Sequence, residues 1–354
     1  MDRSLIRRLG AVPVVAAMLS VAACSTGVSA SGDGGGAASE PAKSSKVTKA
    51  ADLRIAFFSS GENNTYLQAG IAAVKETAKA AGASVDVFDG KFDAQVQYNQ
   101  VQSAITSGKY NAFVLEANDG NLLCNIITKT AANAGILVSV INQPLCDRAL
   151  GSGDDLWSPG TVTTVAGQTA DLYLDWVKAV ERENPDGGSV AAIMGTSLST
   201  NSINFKNALA QLVKDNPKFK VVSQQYTDYT TPKASAAVQT ILQANPKLDI
   251  VMSNYSGMTV GVTAGVKAAG RQKSVKVYDM GGDDWALKAV KSGSLAGTVI
   301  LLPKQEGAQG VKALIDTAEG RTVPHFIDLN KTQTLPGGSV FVTPADVDDY
   351  SAEY

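Results

Sequence analysis

From Leu53 onwards, short apolar segments alternate with longer segments whose apolar residues recur at helical spacing. In the first pair, LRIAFF is followed by TYLQAGIAAVKETAKAAG, where apolar residues from Leu67 to Ala78 share one helical face and Gly82 ends the helix. An apolar strand followed by an amphipathic helix is typical of a parallel sheet that helices cover on both faces. The alternation therefore predicts an α/β fold.

The strand–helix unit repeats in two groups. In the first group, strands are predicted at SVDVF, NAFVLE and ILVSVIN, with helices near Ala94–Ser107 and Leu122–Ala134. The pattern stops between Gln143 and Gly160, a stretch that contains prolines and glycines, and it restarts at TVTTV and continues to AGTVIL. The sequence thus predicts two similar α/β lobes.

Residues 1–23 have the parts of a secretory signal peptide, because Arg3, Arg7 and Arg8 precede an apolar run that ends at Ala23. The run has about 15 residues, which is short for spanning ~30 Å of hydrocarbon, so we expect export rather than a transmembrane helix. The segment VAAC, ending at Cys24, resembles the bacterial lipobox, whose cysteine receives a diacylglyceryl group. The alternative is a soluble secreted protein with a chance cysteine at this place.

Residues 24–51 are rich in Ser, Gly, Ala and Lys and have few large apolar side chains. Such a segment cannot bury a core and is predicted to be a flexible tether. We therefore expect a lipid on Cys24 to hold the chain at the outer face of the cell membrane, since two acyl chains give stable anchoring.

Composition excludes several classes of function. Residues 1–23 carry three of the 31 basic and one of the 33 acidic residues, so the remaining chain has a net charge of −4 and shows no sign of nucleic-acid binding. His325 is the only histidine, which excludes multi-histidine metal sites and leaves Ser-His-Asp catalysis dependent on one residue. Its place after Val323 and Pro324 favours a packed or surface histidine. We predict no cofactor and no metal.

Two cysteines, Cys124 and Cys146, remain beyond the lipobox. In an oxidising exterior they are predicted to form a disulfide, and two unrelated buried thiols are the alternative. Closing the loop between them should contribute roughly 3 kcal/mol if the geometry is unstrained.

The order of the elements, taken with four segments, resembles the periplasmic sugar-binding proteins of ABC importers, of the ribose-binding protein type. The segments are SSGENNTYLQAGIAAVKETAKAAG, AIMGTSLSTNSINFKNAL, VMSNYSGMTVGVTAGVKAAG and AGTVILLPKQEGAQGVKAL. The resemblance covers Leu53 to about Leu329. It also extends to the ligand-binding half of LacI repressors, but the DNA-reading helix-turn-helix of those proteins is absent from this sequence.

The resemblance implies a type I periplasmic binding protein fold, in which two similar doubly wound parallel-sheet lobes are joined by a three-segment hinge. It places the N-terminal lobe at residues 52–165 plus 302–330 and the C-terminal lobe at 166–301 plus 331–354. The crossings are expected near Val165–Gly167, Leu301–Pro303 and Asn330–Gln333. Ligand should lie in the cleft where strand ends of both lobes meet, and the chain is expected to be a monomer.

In the first lobe, the resemblance assigns ligand contacts to Asn64, Tyr66 and Glu116. An amide donates to and accepts from hydroxyls, and an aromatic face covers the C–H side of a sugar ring. Asn64 could instead, or in addition, be the N-cap of the helix that follows. Glu116 ends a strand where a buried carboxylate is costly without hydrogen bonds, which favours a role in binding.

Other matching positions have changed their chemistry. Asn142 and Gln143 stand where ribose-type proteins carry an Asp-Arg pair, and Tyr255 stands in place of an asparagine. In the second lobe Asn201 and Asp283 are candidate contacts. The alternative is that polar side chains at these two places cap the helices that begin there. Each lost partner for a ligand hydroxyl is worth roughly 0.5–1.5 kcal/mol, so tight ribose binding is not expected.

The sequence therefore predicts a non-enzymatic, lipid-anchored receptor that closes on a small neutral sugar or polyol and delivers it to an ABC permease. A receptor for a nucleoside or another non-sugar solute, or a sensory receptor, has the same fold. A glycoside-modifying enzyme is an alternative from another class, and it would need paired carboxylates such as Glu116 and Asp283.

Overall fold

In the computed structural model, which describes residues 47–332 and 335–354, the alternating segments form two six-stranded sheets. The strands are β1 (Arg54–Ser59), β2 (Ser84–Asp89), β3 (Ala112–Leu115), β4 (Leu137–Ile141), β5 (Thr163–Ala166), β6 (Gly188–Met194), β7 (Phe219–Tyr226), β8 (Ile250–Ser253), β9 (Lys276–Gly281), β10 (Gly297–Ile300), β11 (Phe326–Asp328) and β12 (Phe341–Val342).

Helices lie between most consecutive strands. They are α1 (Thr65–Ala80), α2 (Ala94–Ser107), α3 (Gly120–Asn125), α4 (Ala170–Glu183), α5 (Thr200–Asp215), α6 (Thr231–Ala244), α7 (Ser256–Ala268), α8 (Asp284–Lys291), α9 (Pro303–Ala318) and α10 (Leu329–Thr332). A π-helical segment, Ile126–Ala131, continues α3. The helix predicted from Leu122 begins earlier because the Asp119 carboxylate accepts hydrogen bonds from the N–H groups of Asn121 and Leu122.

The first sheet has the strand order β11-β5-β4-β3-β1-β2, and all of its pairs are parallel. Its central strands β3 and β4 are buried along their whole length. This agrees with the predicted parallel sheet covered by helices, because such strands have no face in water.

The second sheet has the order β12-β10-β9-β8-β6-β7. Strands β6 to β10 pair in parallel, whereas β12 is antiparallel to β10, with Thr298 opposite Val342. The predicted parallel-sheet lobe is confirmed, and the short strand β12 adds an antiparallel edge to it. A short edge strand that needs no crossover helix can run in either direction.

The strand order makes the chain pass between the sheets three times. These passages follow β5, β10 and β11, and between the last two, helix α9 packs on α1 of the first lobe. The two α/β lobes are thus present, and the predicted residue limits of each lobe stay a prediction.

The predicted signal peptide and Cys24 lie outside the described residues, as does residue 333 of the third predicted crossing. Of the predicted tether, only residues 47–51 are described, and Ala50 there is already buried in a 3-10 turn that leads into β1. Within the described ranges, no helix has the length and apolarity needed to cross a membrane. The Sγ atoms of Cys124, in α3, and Cys146, in the loop after β4, lie 2.06 Å apart.

Candidate functional site

A cavity lies where the carboxyl ends of strands from both sheets approach each other. Ser60 follows β1, Glu116 follows β3 and Asn142 follows β4, while Thr196 and Asn254 follow β6 and β8 of the other lobe. Residues just beyond parallel strands are free of the sheet's hydrogen bonds, which is why ligands bind at this edge of α/β sheets.

About 500 Å³ of space without protein atoms, part of it open to solvent, lies between the lining residues. The lining consists largely of amides and hydroxyls, with one carboxylate and a few apolar or aromatic groups: Ser60, Asn64, Tyr66, Leu67, Phe92, Glu116, Asn118, Asn142, Gln143, Gln168, Thr196, Ser199, Asn201, Tyr229, Asn254, Tyr255 and Leu301.

Most of the residues singled out from the sequence lie on this cavity, namely Asn64, Tyr66, Glu116, Asn142, Gln143, Asn201 and Tyr255. Asn64 has both of the roles considered for it, since its side chain also caps α1 by accepting from the Leu67 N–H at 2.9 Å. Asp283 is not part of the lining. Its carboxylate caps α8 by accepting from the Ala286 N–H at 2.8 Å.

Tyr66 is the centre of a buried hydrogen-bond network. Its hydroxyl donates to Glu306 Oε2 at 2.5 Å and accepts from Asn142 Nδ2 at 2.8 Å and Gln168 Nε2 at 3.2 Å. Glu306 comes from α9, so the network ties α1 and α9 to the segments that follow β4 and β5. The sequence did not single out Glu306, because an acidic residue in the first turn of a helix is common at any surface helix.

Two carboxyl groups of this region have raised pKa values. Burial, together with the nearby Glu306 charge, raises the pKa of Glu116 to about 8, against a smaller lowering by the Ser60 backbone N–H. Burial raises the pKa of Glu306 to about 7, although Tyr66 and Asn142 stabilise its ionised form by hydrogen bonding. Desolvation is thus the dominant cause in both.

Hydrogen bonds across the cavity connect the lobes. Asn201 Nδ2 donates to Asn142 Oδ1 at 3.1 Å. Gln143 Oε1 accepts from the Thr200 N–H at 2.9 Å, at the start of α5, whose own N-cap residue Ser199 makes no side-chain cap. A first-lobe amide therefore caps a second-lobe helix, which is possible only while the lobes lie close together.

Phe92 and Tyr229 form an aromatic contact between the lobes, with ring centroids 5.3 Å apart and an interplanar angle of 27°. Both have left-handed backbones, with φ of 52° and 62°, which is unusual for bulky residues. Glycines make room for them: a Cβ on Gly61 would lie 2.7 Å from the Phe92 ring, and one on Gly195 would lie 1.8 Å from the Tyr229 ring.

Gln97, on α2, holds the strand ends of the first lobe in place. Its side-chain amide is fully buried, donates to the Glu116 carbonyl at 2.8 Å and accepts from the Asn118 N–H at 2.7 Å.

Sequence reasoning also missed several lining residues: Ser60, Phe92, Asn118, Gln168, Thr196, Ser199, Tyr229 and Asn254. Their position directly after a predicted strand is the signal that could have identified Ser60, Asn118, Thr196 and Asn254.

Two tryptophans, Trp157 and Trp285, are not among the lining residues of the cavity. Trp157 stacks on His325 with ring centroids 3.7 Å apart, and its indole N–H donates to the Thr161 carbonyl at 3.1 Å. Trp285 lines a separate surface depression of the second lobe. His325 thus stacks on Trp157 while remaining exposed to solvent, and it lies outside the cavity lining. Since Asp283 caps a helix and is not among the lining residues, the structure does not bring the Glu116–Asp283 pair of the glycosidase alternative together at the cavity.

Comparison with known proteins agrees with this architecture. Residues 55–322 match the family described as the periplasmic binding protein domain. The D-allose-binding periplasmic protein of Escherichia coli is 25% identical over 258 residues, covering 71% of this chain and 80% of the relative. The ribose import binding protein of Salmonella typhimurium is 26% identical over 274 residues, covering 76% and 86%.

Among solved structures, an ABC transporter solute-binding protein from Mycobacterium smegmatis with bound glycerol superposes with a TM-score of 0.70. It is 26% identical in sequence, and the match covers 84% of this chain and 96% of that protein.

Proposed function

This chain belongs to the periplasmic binding protein family, and we propose that it binds a small sugar or polyol between its lobes as the extracytoplasmic receptor of an ABC importer. The observation that carries the proposal is the lining of the cavity. Seven amide side chains and several hydroxyls converge there from both lobes. Amides donate and accept at once, as the hydroxyl groups of a polyol require.

The contacts between the lobes support binding by closure. Asn142 and Gln143 each engage a second-lobe group and also line the cavity. A solute between the lobes would add contacts to both, and it would favour the closed form by the difference in its affinity for the two forms. The relatives described above are named as D-allose-binding and ribose import binding proteins. We propose delivery to a permease on the basis of this similarity.

The test is identification of the solute, followed by a stability measurement. Mass spectrometry of the denatured, gently isolated protein should release a sugar or polyol. At a hundred times its dissociation constant, that solute should add ~2.7 kcal/mol to the free energy of unfolding and raise the melting temperature. The proposal fails if no sugar or polyol in a broad panel shifts the melting temperature. We expect ribose to have little effect, because Asn142 and Gln143 replace charged ribose contacts.

We also propose that Cys124 and Cys146 form a disulfide in the exported protein. Their Cα atoms lie 4.8 Å apart, a separation that a disulfide can bridge. The bond would join α3 to the loop that carries Gln143. Alkylation of the unreduced protein should leave both cysteines unmodified, and recovery of two alkylated thiols would refute the bond.

The remaining proposals concern the location and assembly of the protein. We propose that the chain is held at the outer face of the cell membrane by a lipid on Cys24, and that it acts as a monomer. The lipobox and the tether composition support the anchor. The family assignment supports an extracytoplasmic location.

A further inference from the structure

Glu116 is the only carboxylate among the described residues that line the cavity, and no Lys, Arg or His is found among them. Its side chain is 6% exposed. A second carboxylate, Glu306, acts on Glu116 by charge repulsion. The Ser60 backbone N–H favours the ionised form of Glu116. A buried carboxylate without a counter-charge is costly unless a ligand or a proton offsets it.

Aromatic rings share the cavity with this carboxylate. Tyr66, Phe92, Tyr229 and Tyr255 all line it. Phe92 stacks on Tyr229, and the Tyr229 and Tyr255 centroids are 6.2 Å apart, so three of the rings form a continuous wall. Burial is the largest cause of the raised pKa values of Tyr66 and Tyr229. The charge of Glu116 is a smaller contributor to both, and at Tyr66 it ranks after the charge of Glu306.

A carboxylate and several aromatic rings around one space attract a cation. The faces of aromatic rings carry negative charge density and bind ammonium groups, more strongly where water is excluded. Since no described lining residue supplies a positive charge, the carboxylate and the rings can attract a positive charge on the ligand. The amides of the lining remain available for hydroxyl groups.

We propose that the solute is an amino sugar, whose protonated amine lies between Glu116 and the aromatic wall while its hydroxyls bind the amides. This inference rests on the proposed function and refines the neutral solute expected from the sequence. The raised pKa of Glu116, about 8, supports it, because an ammonium would restore the ionised carboxylate by direct charge pairing. The titratable groups that face Glu116 are Glu306, Tyr66 and Tyr229.

The experiment compares amino sugars with their neutral parents. Isothermal titration calorimetry of the full mature chain at pH 6.5, where the amine is protonated, would use D-glucosamine, D-galactosamine and D-mannosamine beside D-glucose, D-galactose and D-mannose. We expect at least one amino sugar to bind tenfold or more tightly than its parent. Equal or tighter binding of every parent sugar, or no binding of any amino sugar, would overturn the inference.

A charge-removing variant tests whether Glu116 is responsible. Glu116→Gln keeps the size and should lose the preference for the amino sugar by tenfold or more. Glu62→Gln removes the same charge from an exposed residue outside the lining and should keep the preference. Retention of the preference in a folded Glu116→Gln protein would also overturn the inference.

These outcomes separate the inference from the proposed function. Binding of neutral sugars alone overturns the amine inference and leaves sugar binding standing. Binding of neither series, with no sugar or polyol released from the isolated protein, overturns both.

Discussion

At the scale of single residues, the polar groups of the cavity differ in how far the protein already satisfies them. The Tyr66 hydroxyl is fully engaged by Glu306, Asn142 and Gln168. By contrast, the side-chain oxygen Oδ1 of Asn201 is buried without a partner in the described structure, and the group that stabilises the ionised Glu116 carboxylate is the Ser60 backbone N–H. The Tyr66 hydroxyl therefore holds the site together, whereas Asn201 and Glu116 are available to bind a ligand.

Substitutions of Tyr66 can separate the contribution of its ring to ligand binding from the contribution of its hydroxyl to stability. Tyr66→Ala should abolish the rise in melting temperature caused by the identified solute, since it removes both the ring that lines the cavity and the hydroxyl. Tyr66→Phe keeps the ring and should retain most of the affinity. It should cost about 1–3 kcal/mol of stability, because Glu306 loses a buried donor. Calorimetric titration and urea unfolding measure the two effects, and unchanged affinity in Tyr66→Ala would remove the ring from the site.

Asp279 gives a pH-dependent prediction away from the cavity. Burial raises its pKa from 3.8 to about 6, although Thr259, Thr298 and Ser256 donate hydrogen bonds to it. The folded state therefore holds this proton more tightly than the unfolded chain. The contribution to stability is greatest below pH 4 and is lost, by about 3 kcal/mol in all, as the pH rises through and beyond about 6.

Replacing Asp279 by Asn should remove that part of the pH dependence. Urea unfolding at pH 4 and pH 6.5 should show that Asp279→Asn loses about 2 kcal/mol less than the unmodified protein over this interval. Asp186→Asn, at an exposed turn, should follow the unmodified protein. Parallel curves for all three proteins would show that Asp279 titrates normally.

At the scale of elements, loops after strands determine how the lobes meet. Phe92 follows β2 and Tyr229 follows β7, and each ring packs where a glycine of a neighbouring loop leaves space. Gln143, in the loop after β4, caps α5 of the other lobe. Contacts between the lobes are therefore made by loop residues whose positions the sheets define.

The clearance at Gly195 can be tested directly. Gly195→Ala would place a Cβ 1.8 Å from the Tyr229 ring, so the ring must move and its stacking on Phe92 is lost. We expect faster dissociation of the solute, by about tenfold, since a packed aromatic pair is worth about 0.5–1.5 kcal/mol. Stopped-flow dissociation measures this rate.

The matched control for Gly195 is Gly70→Ala. A Cβ at Gly70 would meet its nearest neighbour, the Pro303 carbonyl oxygen, at an ordinary 3.5 Å. Its dissociation rate should equal that of the unmodified protein. An unchanged rate in Gly195→Ala would show that the aromatic contact does not hold the solute in place.

At the scale of the whole molecule, few direct contacts hold the lobes together across the cavity. They include the Asn142–Asn201 and Gln143–Thr200 hydrogen bonds and the Phe92–Tyr229 stack. Each is worth only about 0.5–1.5 kcal/mol. A ligand that adds several hydrogen bonds to both lobes can therefore control the balance between closed and open forms.

The proposed anchor is also a property of the whole molecule. Cys24→Ala removes the acceptor of the lipid, so the protein should appear in the medium or remain as an uncleaved precursor. Fractionation of cells followed by immunoblotting measures its location. The same amount of processed protein in the membrane fraction with and without Cys24 would contradict the lipid anchor.

The sequence by itself determined the α/β class and the positions of the strands and most helices, because these follow from the spacing of apolar residues along a short stretch of chain. The resemblance to sugar-binding proteins added candidate contacts such as Asn64, Tyr66 and Tyr255, and the structure brings these to the cavity. Polar residues directly after apolar strands were recognisable for the same local reason.

Only the tertiary structure decided the partners of those residues. Tyr66 meets Glu306 across 240 positions of sequence, and Phe92 meets Tyr229 across the two lobes. Asp283 could have faced the cavity or capped α8, and the fold selects the cap. Such contacts depend on how separate helices and loops pack, and burial then sets the charge of Glu116 and Glu306. Neither packing between distant segments nor burial has a local pattern in the sequence, so neither could be inferred from it.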